Sequence, residues 1–146
     1  MTERGQLERE EQEAADYGSD VSTFLRSDGI ADLDPSFAVI RGPQVVAESV
    51  ARSLMTRRGL MTEAPDRGID LQQLQSARLS PQALRQLHAV IEREVRADDR
   101  VLDASVEVTA PEPQTLLVRV ACATGFGPFE LVIQSSRAGD LVEVLL

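Results

Sequence analysis

The stretch "EREVRADDRVLDASVEV", residues 92–108, changes its hydrophobic period midway, and that change decides the fold. Up to Arg96 the apolar positions are those of a helix. Leu84, Leu87, Ile91 and Val95 recur at three- and four-residue steps, Ser80 stands as N-cap before Pro81, and Glu92 with Arg96 makes an outward i,i+4 pair. From Leu102 the period is two: Leu102, Ala104, Val106 and Val108 alternate with Asp103, Ser105, Glu107 and Thr109, as in a half-buried strand. Between the two lies "ADDR". Asp98, Asp99 and Arg100 allow three readings: acid/base chemistry, a solvated connector that ends a helix, or a docking surface. At a helix exit Arg100 can bond the open carbonyls of the last turn or reach a partner's carboxylate.

Outward from this joint, "PQVVAESVARSLMTRRG" (43–59) predicts the other main helix. Pro43 suits its first position, Val46, Val50 and Leu54 form one face, Arg57 and Arg58 complement the C-terminal dipole, and Gly59 provides the stop. The loop between the helices holds one short helical turn, at Ile69 to Leu74. Beyond residue 108, "APEPQ" turns the chain into a strand from Thr115 to Thr124 with Leu116, Val118, Val120 and Cys122 on one face. "GFGP" and "SRAGD" then separate a strand at Phe129 to Gln134 from a last one, "LVEVLL". Two helices followed by an antiparallel meander predict an α+β domain over 43–146. Residues 21–42 mix isolated apolar residues with Asp-Gly and Asp-Pro punctuation and read as an extended segment. Residues 1–20 are acidic and poor in aliphatics, which predicts an extended arm that is mobile alone and orders against a partner.

Composition narrows function. Of 146 residues, 42% are hydrophobic, 27% are charged and only 3% are aromatic, with no Trp, so stacking on bases or sugars is poorly supplied. The net charge of −9 is uneven: residues 1–40 hold ten acids against three arginines, and the remainder is nearly balanced. An acidic chain with no basic stripe argues against nucleic-acid binding. Every basic residue is Arg, which suits bidentate pairing at interfaces. The single Cys122, in an apolar strand pattern, reads as a buried small hydrophobe. No apolar h-region opens the chain and no run approaches a membrane span, which predicts a chain made in the cytosol without membrane insertion.

The remaining chemical signals are weak. A glycosidase needs two carboxylates facing across a cleft, and of the acids Glu63, Asp66, Asp98 and Asp99 the last two are adjacent in sequence and cannot face each other across a substrate. His88, the lone histidine, has no Cys/His cluster around it and reads as structural. "TGFGP" lacks a following G-K-[ST] and reads as a hairpin connection. No cofactor, metal or small-molecule substrate is expected.

The order of features adds a resemblance over residues 20–146. The segment "SDGIADLDPSFAVIRGPQVVAESVARSLMTRRG", then "EAPDRGIDL", then a helix ending in "DDRV" and running into alternating strands, resembles the baseplate wedge family of contractile phage tails and related injection machines. Some of its members carry a "lysozyme-like" label. The family's Glu-Pro-Arg triplet falls on Asp98, Asp99 and Arg100, so the acid and arginine are kept and the proline is not. Its Tyr-Gly-x-x-Leu-like stretch falls on Gly68 and Leu71, with Arg67 in the aromatic's place. The resemblance implies a non-enzymatic, sheath-like domain in a sixfold particle assembled in the cytoplasm, bound to other wedge proteins and to sheath protein. On this reading Asp98, Asp99 and Arg100 are a docking joint. The terminal strand Leu141, Val142, Glu143, Val144, Leu145 and Leu146, with one glutamate to blunt its edge, is a second docking site, open to strand addition; the internal alternative is that it pairs with the Phe129 to Gln134 strand while residues 21–42 shield the outer edges. The other expectations are a muralytic hydrolase and a small cytosolic adaptor.

Overall fold

The computed structural model describes residues 2–21, 39–60, 62–74 and 79–146. Within them lie four helices, α1 (Glu3–Tyr17), α2 (Pro43–Met55), α3 (Leu71–Leu74) and α4 (Pro81–Arg96). Strands β1 (Ser19–Val21) and β2 (Val39–Arg41) form a small antiparallel ladder. Strands β3 (Asp103–Glu112), β4 (Thr115–Thr124), β5 (Gly127–Ser136) and β6 (Gly139–Leu145) form an antiparallel sheet in the order β3-β4-β5-β6. The fold is α+β, with α2 and α4 on one face of the meander.

Two-residue alternation places one side of each strand in the core. Ala104 and Val106 of β3, Leu116, Val118, Val120 and Cys122 of β4, Leu131 and Ile133 of β5 and Val142 of β6 are buried there. Val46, Val50 and Leu54 meet them from α2, and Leu87, Ile91 and Val95 from α4. Helix α4 lies on β3, while α2 lies on β5 and β6. The Ser80 hydroxyl accepts from the Ala83 N–H at 3.1 Å, as an N-cap does, and Pro81 follows it. His88 ties α4 to β3 through Nε2 and the Val106 carbonyl oxygen at 2.6 Å.

Three local expectations are corrected. The expected extended N-terminal arm is helical over Glu3–Tyr17. Glu, Gln, Arg and Ala are strong helix formers, and an i,i+4 pair, Arg4 with Glu8 at 3.4 Å, supports the helix. Helix α2 ends at Met55, before Arg57, Arg58 and Gly59. Thr56 turns extended, its hydroxyl donates to the Arg52 carbonyl at 2.6 Å, and Gly59 (φ 91°) instead serves the turn closed by Leu60 N–H on the Arg57 carbonyl. The "APEPQ" turn begins later than expected. β3 runs through Glu112 with irregular register after Thr109, and the reversal falls at Pro113 and Gln114, the latter at φ 60°. Pro111 cannot donate to the ladder, so the strand continues there with a disrupted register. Most of the predicted extended segment, residues 22–38, lies outside the described residues.

Candidate functional site

Helix α4 ends in a cluster that brings together two stretches far apart in sequence. The Asp98 side chain is 8% exposed and accepts three hydrogen bonds from Arg100. The backbone N–H donates to Oδ1 at 3.0 Å, Nε to Oδ1 at 2.8 Å and Nη2 to Oδ2 at 2.6 Å. This is a bidentate clamp closed within one turn of chain, because the two residues are only two apart. Burial by itself would raise the Asp98 pKa. The side-chain and backbone hydrogen bonds from Arg100, with the charges of Arg100 and Arg67, outweigh it and hold the carboxyl below its ordinary value. Asp99, between them, is exposed.

Arg67 reaches the same helix end from the loop before α3. Its Nε donates to Glu94 Oε1 at 2.7 Å and its Nη2 to the Glu94 carbonyl at 3.2 Å, while the Gly68 N–H donates to Glu94 Oε1 at 3.0 Å. The Ala97 N–H bonds the Arg93 and Glu94 carbonyls, and the Asp98 N–H bonds that of Val95. The carbonyls of Arg93, Glu94 and Val95 are thus met by Arg67 and by backbone amides. Arg100 turns to Asp98, the nearer acceptor. Gly68 packs on the chain leaving α2: it lies at φ 112°, and a Cβ there would strike the Thr56 carbonyl oxygen. Leu71, the third residue of that loop stretch, is fully buried in the core.

Sequence reading missed Glu94, the acceptor that locks this loop to α4. The signal was available, since Glu94 shares the inward stripe of α4 with Ile91 and Val95, where a carboxylate survives burial only with partners. Glu48 gives the same signal on α2, where it is fully buried. Of the acids weighed for hydrolysis, Glu63 and Asp66 are exposed on the loop. A separate polar cluster joins α3 to the β5–β6 hairpin. Gln72 Nε2 donates to the Ser136 carbonyl at 2.7 Å, and the Ser135 hydroxyl is 3.4 Å from Gln72 Oε1. Burial raises the Asp140 pKa here, a hydrogen bond from Ser135 opposes the rise, and the Asp70 charge adds to it.

The C-terminal strand is an edge: β6 pairs with β5 through Leu145↔Glu130 to Gly139↔Ser136, and no other described strand pairs with it. Val142 is buried under α2, whereas Leu141 and Leu145 are 48% and 44% exposed and Glu143 and Leu146 are also exposed. Val144 is half-buried. Beside this edge the sheet face that no described element covers holds an open depression of about 460 Å³, floored by Ala121, Ala123 and Pro128 and rimmed by Leu145 and Leu146, with Asp103 and Glu130 also lining it. Cys122 is buried, and burial pushes its thiol up to about 12, which leaves it a small hydrophobe with no thiolate at neutral pH. Among the described residues no group of three or more His, Cys, Asp or Glu side chains is placed to hold a metal ion, and no helix is long and apolar enough to cross a membrane. Compared with known proteins, the chain matches no family model and no curated protein.

Proposed function

We propose that this chain is a structural wedge component of a contractile-tail or injection-machine baseplate, assembled in the cytoplasm, which binds the other wedge proteins and nucleates the sheath. The observation that carries the reading is the terminal edge strand, with Leu141 and Leu145 half-exposed beside a sheet face that no described element covers. An apolar edge of this kind is a template for an added strand, and it invites aggregation unless a partner covers it. Sheath subunits that reach their neighbours through extended arms supply that partner. The clamped joint supports the same reading in a different way from a free arginine. Arg100 holds the shape of the turn, and the exposed carboxylate of Asp99 is the group offered outward.

The reading is non-enzymatic. Asp98, the one buried acid of the joint, is held ionised by Arg100 and cannot serve as the protonated general acid of a glycosidase at neutral pH.

The test is reconstitution with the wedge and sheath proteins of a contractile particle, taken from neighbouring genes where these encode them. Leu141→Lys with Leu145→Lys places gatekeeper charges on the edge without touching the core. Sheath recruitment is expected to fail while the variant still enters the wedge. Asp99→Arg is expected to weaken wedge binding instead. Sheath polymerisation at the normal rate on the lysine variant would overturn the edge assignment.

A further inference from the structure

Helix α1 is polar on its described faces, yet one of them carries a repeated pattern. Glu3, Leu7 and Glu11 stand four residues apart, all three are exposed, and neither glutamate has an ion pair among the described residues. Leu7, 56% exposed, is the apolar centre of this face. A helix built this way gains nothing from its own fold by displaying a leucine between two acids.

Helix α4 carries the converse pattern on the side opposite its core stripe. Arg85, Ala89 and Arg93 follow the same four-residue step and are all exposed, and neither arginine has an ion pair among the described residues. An open depression of about 540 Å³ runs along Ala89, Arg93 and Ala97. The other charges lining it, Glu92 and Arg96, neutralise each other at 3.1 Å.

The two faces match in spacing and in charge. In each the flanking charges are eight residues apart, about 12 Å along a helix. The alanine lets a second helix approach closely where the leucine would sit, and rows at four-residue spacing are those that interdigitate in the commonest helix pairing. Acid–apolar–acid against base–small–base reads the same in both directions, so either helix orientation satisfies it. In its own chain α1 rests on β2 and α2, which leaves the outward face of α4 for another molecule. We propose that α1 of one copy docks on α4 of a second copy, with Leu7 over Ala89 and Glu3 and Glu11 paired with Arg85 and Arg93. The contact uses different surfaces on its two sides, so it closes as a reciprocal exchange or a ring, or else propagates. It stands apart from the edge strand and from the proposed role.

Sedimentation velocity on the full chain over a range of concentrations tests it. Self-association is expected, weakening as salt is raised. Arg85→Glu with Arg93→Glu should weaken it by roughly tenfold or more, since each exposed pair contributes modestly and reversal adds repulsion. Adding Glu3→Arg and Glu11→Arg to that variant should restore it. All four positions are exposed, and circular dichroism checks that the variants fold. A chain that stays monomeric throughout would overturn the proposal, as would association indifferent to the charge reversals, or association lost only in the Leu141→Lys, Leu145→Lys variant.

Discussion

Two aspartates in this domain are pulled in opposite directions by their neighbours, and each predicts a different response to pH. Asp98 is held below its ordinary value by Arg100. Its contribution to stability is therefore complete above the unfolded carboxyl's pKa, and is lost as pH falls below about 4 and through the lower folded value. Urea unfolding followed from neutral pH downward is expected to show this acid loss in the native chain and a flatter profile in Asp98→Asn. Arg100→Ala leaves a nearly buried carboxylate without its clamp and should cost about 1–3 kcal/mol. That outcome assigns Arg100 to the joint itself, and an unchanged midpoint would free it for a partner. Asp140 has a raised pKa, so folding favours its protonated form and its burial becomes more unfavourable as pH rises above the ordinary carboxyl value and through the folded one. Asp140→Asn should therefore raise the melting temperature at pH 7, and a lowered one would refute the account.

At the scale of elements, the loop between α2 and α3 is held at a few points rather than by a continuous face. Gly68 is the tightest of them, with a positive φ and the Thr56 carbonyl against its Cα. Gly68→Ala is expected to destabilise by about 2 kcal/mol or more, because strain and a backbone collision add. Gly59 offers the control. It also has a positive φ but open space around it, so Gly59→Ala should cost only the left-handed strain, about 1 kcal/mol. Equal losses in chemical denaturation would mean that the close approach contributes nothing. The same packing explains why α2 stops where it does. The chain leaves the helix at Thr56 to meet Gly68, although Arg57, Arg58 and Gly59 would suit a longer helix.

Among the described residues the domain is two layers, with one sheet face covered by α2 and α4 and no described element on the other. Two of its buried charges join elements: Glu94 to the loop through Arg67, and Asp98 to the strand entry through Arg100. On the proposed structural role, purified protein is expected to release no fragments from cell-wall peptidoglycan, and turnover that disappears in Asp98→Asn would overturn that proposal.

Much of this architecture was legible in the order of residues. The switch from helical to two-residue period around "ADDR", the Ser80 cap, the limits of β4 and the burial of Cys122 are local or periodic properties, and a period alone says which side of an element meets the core. The partnership of Arg67 with Glu94 could not be read there, because 27 positions separate them and only the packing of the loop on α4 brings them together. The direction of Arg100 was equally undetermined. A helix-end arginine has several acceptors within reach, and the burial of Asp98, which depends on how α4 sits over the sheet, selects one of them. Sequence determines which faces are apolar through side-chain spacing, whereas the pairing of buried charges follows from distances that exist only once those faces have closed.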